Sequence, residues 1–198
     1  MPHFPKNLVL ENERVLLRTL RHADIEFLLP FADQEPELWK YSRINAAGKE
    51  GITRYIKEAI DEQLLLKEYP FIIYDKKENS YAGSTRFYDI QLNNSTTQLG
   101  YTWYGKKFQR TGLNRHCKFL LLSFAFEEWG MERVEFRADA RNERSIQAMK
   151  NIGCTVEGIL RSNMPLSQEQ GRRDSIVLSI LKNEWLDGVK QKLKDRFR

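Results

Sequence analysis

The chain has 198 residues, of which 41% are hydrophobic and 30% charged, enough for one domain with a substantial core and too apolar for extended disorder. No apolar run approaches the roughly 20 residues that a bilayer crossing needs, and Met1 to Lys6 lack the basic, apolar and small-residue order of a secretory signal. The expectation is therefore a cytoplasmic protein with no membrane role; the net charge of +5 leaves nucleic-acid binding open, because basic residues spread over a solvated surface give the same total.

In chain order, Val15-Leu16-Leu17 predicts a first short strand, and a helix follows from about His22 with Ile25, Leu28 and Leu29 on one side. A long helix is expected from Ile52 to Lys67, where Ile52, Tyr55, Ile56, Ala59, Ile60 and Leu64 recur at three- and four-residue steps, with Pro70 ending it. Phe71 to Tyr74, Tyr81 to Ile90 and Thr97 to Trp103 are separated by turn-rich segments and predict three consecutive antiparallel strands. The pattern then becomes helix and strand in alternation, which implies parallel pairing through a crossover helix from Leu113 to Trp129, stopped by Gly130. A strand over Arg133 to Ala138, a helix from Asn142 to near Gly153, and a hairpin of Thr155 to Leu166 with Arg172 to Leu181 complete the expected unit. Leu186, Val189, Leu193 and Phe197 share one side of a basic C-terminal helix over 186–198, which could pack on the domain, on a second subunit in a homodimer, or on an acidic partner such as RNA or the ribosome. Cys117 and Cys154 have no metal-ligand or C-x-x-C spacing, so no metal site is expected and both read as buried thiols.

The segment with most chemical content is Gln109-Arg110-Thr111-Gly112-Leu113-Asn114. It lies between a strand and a helix start, where unpaired N–H groups and the positive end of the helix dipole attract anions. Gly112 permits close backbone approach, Thr111 can add a hydroxyl, and Lys106, Lys107, Arg110 and Arg115 supply charge for a diphosphate. An ordinary loop capping a buried helix would look the same in isolation. Likewise Asn142-Glu143-Arg144-Ser145 is an unexceptional helix start, since Asn is a favoured cap.

The order of three pieces changes that balance. Leu99-Gly100-Tyr101-Thr102-Trp103, then Gln109 to Asn114, then Asn142 to Ser145 with Ala148-Met149-Lys150-Asn151-Ile152-Gly153-Cys154 and Val156-Glu157-Gly158-Ile159-Leu160-Arg161, resemble the GCN5-related N-acetyltransferases. The likeness is greatest to the branch that includes the ribosomal-protein N-terminal acetyltransferases, and it spans about Arg14 to Trp185. It implies a mixed α/β (α+β) fold, a twisted, mostly antiparallel sheet of six to seven strands with a splayed parallel pair at the cofactor site and helices on both sides. It also implies acetyl-CoA as donor and a primary amine, either a protein N-terminus or a small amine, as acceptor. Main-chain amides of Gln109 to Asn114 would cradle the pyrophosphate, with Phe108 beside them. Tyr101, Thr102 and Trp103 would pair with the pantetheine arm, and Asn142 would hydrogen-bond it. Ser145 would protonate the departing thiolate, and a main-chain N–H near Tyr101 would serve the oxyanion. Asn114 departs from the family's usual small residue and must point away from the phosphates.

The general base is where the likeness stops. Gln98 and Met164 stand where relatives can carry Glu, which leaves Asp89, Asp139, Glu157, Tyr101 or a water chain. His116 lies inside the crossover helix and is more simply read as packing. Those missing carboxylates also motivate an alternative, a silent acyl-CoA-binding or regulatory module. Tyr88 and Tyr101 could wall an acceptor slot, whereas no dense acidic run suggests a polycationic acceptor.

Overall fold

The computed structural model describes residues 7–167 and 169–197. The opening residues 1–6, Gln168 in the last hairpin turn and Arg198 of the basic tail lie outside the described residues. Eight strands form a single sheet in the order β1-β2-β3-β4-β5-β6-β8-β7. They are β1 (Val9–Glu11), β2 (Val15–Thr19), β3 (Tyr69–Asp75), β4 (Ser80–Gln91), β5 (Thr96–Tyr104), β6 (Arg133–Asp139), β7 (Thr155–Pro165) and β8 (Arg172–Leu181). The count exceeds the six to seven expected because β1 is only three residues long with one buried side chain, Leu10, too short to show an alternating pattern.

Every neighbouring pair is antiparallel except β5 and β6, which run parallel through Thr96–Arg133, Thr97–Val134 and Gln98–Glu135. Their registered pairing ends there, although β5 continues to Tyr104 and β6 to Asp139. The two strands thus part toward their C-terminal ends. Main-chain groups along the far half of β5 face a gap in place of a neighbour. On its other side β5 carries a bulge. Ser84 opposes Trp103 and Arg86 opposes Gly100, so Thr85 alone faces both Tyr101 and Thr102, and Tyr101 takes a left-handed φ of 49°.

The helices are α1 (Ile25–Gln34), α2 (Gly48–Leu64), α3 (Leu113–Ser123) and α4 (Glu143–Asn151), with short helical pieces α5 (Lys182–Glu184) and α6 (Lys190–Lys194) at the end. Ile52, Tyr55, Ile56 and Ala59 are the buried stripe of α2, as their spacing predicts. Pro70 does not end that helix: α2 finishes at Leu64, Leu66 turns left-handed at φ 58°, and Pro70 already lies in β3. The crossover helix is shorter than 113–129, because a π-type turn over Phe124–Glu128 follows α3. The 186–198 helix is likewise interrupted, the chain kinking at Gly188 before α6.

Two apolar clusters cover the two sheet faces. Leu113, Cys117, Leu121 and Leu122 of α3 join Phe87, Leu99 and Phe136 on one side, and Leu28, Tyr55, Ile56 and Trp39 gather on the other around Ile72 and Trp103. The C-terminal segment packs on the back of α3: Trp185 is fully buried, Leu193 nearly so, and the Phe197 ring stacks on His116 with centroids 3.9 Å apart. Both cysteines are free and buried. Among the described residues no helix is long and apolar enough to cross a membrane.

Candidate active site

The gap between β5 and β6 opens into a cleft of about 1610 Å³ that reaches both faces of the sheet. On the α3 side its floor is a tightly curled loop. Arg110 (φ 63°) and Gly112 (φ 89°) are both left-handed, a conformation that costs a non-glycine residue about 1–2 kcal/mol. The first turn of α3 begins immediately after, with N–H groups that have no intrahelical acceptor. Gln109 clips the loop in place: its amide donates to the Tyr104 carbonyl at 2.8 Å and accepts from Arg144 of α4 at 2.7 Å.

The structure brings most of the expected residues together. Tyr101, Thr102, Trp103, Phe108, Gln109, Arg110, Gly112, Asn114, Asn142 and Ser145 all line the cleft. Asn114 is tied back by the Tyr104 hydroxyl, which donates to its Oδ1 at 3.1 Å. Asn142 caps α4, its Oδ1 accepting the Ser145 N–H at 3.1 Å, so the amide NH2 is what it can offer a ligand. Ser145 is half-buried, and its hydroxyl has no hydrogen-bond partner among the described residues.

Other expectations are corrected. Thr111 does not present its hydroxyl to the cleft: it donates to the Phe108 carbonyl at 2.8 Å. Leu113 is fully buried in the core, leaving only its main chain near the loop. The Trp103 ring turns to the α1/α2 side, edge-on to Trp39 at 5.0 Å. Lys106 pairs with Glu37 and Lys107 lies over the Phe108 ring, and neither lines the cleft. The basic residues near the loop are Arg110, Arg115, Arg144 and Lys150.

On the α1/α2 side the wall is made of aromatic rings and arginines. Tyr88 and Tyr101 meet edge to face at 5.1 Å, and the Tyr101 ring has Arg86 4.1 Å from its centroid and Arg43 at 5.3 Å. Gly100 makes room for Tyr88, since a Cβ there would lie 2.8 Å from the Tyr88 ring. Arg86 is 1% exposed and pairs with Glu68 at 2.6 Å. Burial pushes the Tyr88 hydroxyl up to about 12 and raises that of Tyr101.

The carboxylates near the cleft are engaged. Asp139 accepts a two-point contact from Arg141, which lowers its pKa, and Glu68 is held by Arg86. Asp89 accepts the Gln98 amide NH2 at 2.7 Å, which fixes that amide's orientation because a carboxylate can only accept. Gln98 Oε1 is then buried with no partner among the described residues. Met164 lines the cleft, whereas Glu157, bound to Arg133 and Ser179, does not. His116 sits on the outer side of α3, and burial lowers its pKa.

Lys118 is the residue that sequence reasoning misses. It is 5% exposed, lines the cleft, donates to Thr102 Oγ1 at 2.8 Å and lies 5.8 Å from the Phe136 ring centroid. Burial lowers its pKa to about 8. The available signal is its place as a lone cation in the apolar run Cys117-Lys118-Phe119-Leu120-Leu121-Leu122.

A parted parallel strand pair, a bulge on one strand and an anion-collecting loop at a helix start together define an acyl-coenzyme-A-using site in a mixed α/β domain. The acetyltransferase (GNAT) domain family matches residues 14–155, and the chain belongs to that family and is an N-acetyltransferase by class. It is 29% identical over 114 residues to the Bacillus subtilis protein named "Putative ribosomal N-acetyltransferase YdaF", an alignment covering 58% of this chain and 59% of that protein. It is 25% identical over 178 residues to "Uncharacterized N-acetyltransferase p20" of Bacillus licheniformis, covering 89% of this chain and 97% of that one. A crystal structure of an acetyltransferase from T. thermophilus superposes with a TM-score of 0.87 at 30% identity, covering 100% of both chains.

Proposed function

We propose that this protein, as one catalytic unit with a core of about residues 14–185 and the packed 186–198 segment, transfers the acetyl group of acetyl-CoA to a primary amine by direct attack. The observation that carries the reading is the registered end of β5–β6 pairing at Gln98–Glu135, which leaves the main chain from Leu99 to Trp103 beside an open cleft and next to the Gly112 loop. The donor fits this surface: unpaired strand groups match the amides of a pantetheine arm, and the α3 start with Arg110 and Arg144 matches a diphosphate. When bound it supplies an activated acetyl thioester.

The chain's own residues then divide the work. The main chain of the Tyr101 bulge donates to the oxygen that gains charge. Gln98 Oε1, oriented by Asp89, accepts a hydrogen of the attacking amine and aims its lone pair. The amine nitrogen bonds to the acetyl carbon as the carbon–sulfur bond breaks. Ser145 Oγ gives its proton to the departing thiolate and recovers one from solvent. The amine's surplus proton leaves through water, since Glu68 and Asp139 are committed to arginines. The two free, buried cysteines fit a reducing, cytoplasmic setting.

Isothermal calorimetry with acetyl-CoA, followed by thiol release with a panel of amines, tests the reading. Ser145→Ala is expected to lower turnover roughly 10- to 100-fold with acetyl-CoA affinity unchanged. Gly112→Val, which forces a branched side chain into a left-handed position, is expected to weaken acetyl-CoA binding about 10-fold, on a cost of roughly 1–2 kcal/mol. Absence of acetyl-CoA binding by the native protein would overturn the proposal. Binding without thiol release on any amine would instead mark a silent acyl-CoA module.

A further inference from the structure

The α1/α2 side of the cleft holds more positive charge than its carboxylates neutralise. Arg173 of β8 is 6% exposed, and its only hydrogen bond among the described residues runs from Nε to Ser175 Oγ at 3.1 Å. Its terminal nitrogens therefore have no acceptor among those residues, although it lines the cleft. Asp139, the anion that acts on it, has both oxygens taken by Arg141. Arg43, from the α1–α2 connection, forms no ion pair among the described residues and lies 5.6 Å from the Tyr88 ring centroid. Arg137 of β6 spends its Nε on Glu135, and that carboxylate's other oxygen is held by Arg133. Three guanidinium groups from three separate elements thus converge around Tyr88. Burial first, then repulsion from Arg43 and Arg137, makes a charge on Arg173 costly as the protein stands.

A buried arginine without a counter-ion is an unfavourable arrangement unless something anionic completes it. Guanidinium forks bind carboxylate and phosphate oxygens in pairs, with geometry that a solvated lysine lacks. A polycationic amine would meet like charge here, and a neutral amine would leave Arg173 unmatched.

We propose that the acceptor is a small amine that itself carries a carboxylate or phosphate, bound by Arg173 and Arg43 beside Tyr88 with its amine directed past Tyr101 to the bulge. This rests on the acyl-transfer reading above and names the substrate class for the same site. The anionic group is not consumed: it anchors, and the amine alone forms the new bond.

Matched ligand pairs test it. β-Alanine against β-alaninamide, and phosphoethanolamine against ethanolamine, are titrated by saturation-transfer NMR into the protein alone and with CoA present. Each anionic member is expected to bind at least about 10-fold more tightly than its neutral twin, and the pair with the larger ratio identifies carboxylate or phosphate. Arg173→Met and the surface variant Arg43→Gln are each expected to cut that preference several-fold, so a folding defect in the first leaves the second decisive. Equal affinities within both pairs, a preference unchanged in both variants, or tight binding only of a peptide beginning with Asp would overturn the proposal. Acetyl-CoA affinity, measured on the same samples, reports separately on the acyl-transfer reading: its absence refutes that reading whatever the anion preference.

Discussion

The two sides of the cleft are built from different materials. On the α3 side, the working surface is mostly main chain: a curled loop, the first turn of a helix, the unpaired half of β5, and a cap at Asn142. On the α1/α2 side it is side chain, with Arg43, Arg86, Arg137, Arg173, Tyr88 and Tyr101 drawn from four strands and a connection. Main-chain surfaces of this kind suit a ligand that is the same in every relative, because amide groups do not change when side chains drift. Side-chain surfaces can change one residue at a time, so the second side is where a particular acceptor is chosen. Lys118 is the exception that crosses this division, a side-chain cation set among the main-chain features through Thr102.

The contrast can be broken hardest at Arg86. Arg86→Met removes one partner of a buried pair and strands Glu68, which should cost about 3 kcal/mol or more in urea unfolding. If the side-chain wall is an independent layer, the double variant with Glu68→Met should recover most of that loss, while acetyl-CoA affinity stays near the native value in both. A large fall in acetyl-CoA affinity in the double variant would show that the two sides are not separable.

Lys118 gives a smaller and pH-dependent effect. Its pKa falls from 10.5 to about 8 on folding, so below pH 8 the protein carries the full cost of burying the charge. Between pH 8 and 10.5 the unfolded chain binds the extra proton, so stability from this group rises with pH, and above that window the contribution is constant. At about 1.36 kcal/mol per pKa unit the penalty is roughly 3 kcal/mol, and the lost bond to Thr102 returns about 1, so Lys118→Met should stabilise by about 2 kcal/mol near neutral pH. The difference between variant and native protein should shrink as pH rises from 8 toward 10.5. A constant difference across that range would refute a charged, buried Lys118.

Least affected should be the back of α3. Phe197→Ala removes the ring stacked on His116 and is expected to cost about 1 kcal/mol, with the pH dependence of turnover unchanged. A shifted pH profile would bring His116 into the chemistry, against its position outside the cleft.

Local signals made one side legible. Gly112 before an apolar helix and Asn142 three residues before Ser145 are short-range patterns, and each keeps its meaning without knowledge of the fold. Thr111 and Trp103 show the limit of that reading: the hydroxyl is drawn back by Phe108, and the indole follows strand alternation into the α1/α2 core. Pro70 shows it for secondary structure, since Leu66 had already reversed the chain.

By itself the sequence determined the mixed α/β order of elements, the anion-collecting loop and the cap, because helix periodicity, strand alternation and helix-end chemistry are set within a few residues. Only the tertiary structure decided that Gln98 presents a lone carbonyl oxygen, that Lys118 is buried, and that Arg43, Arg137 and Arg173 meet at Tyr88. These depend on which distant strands become neighbours, and on which carboxylates other arginines have already taken.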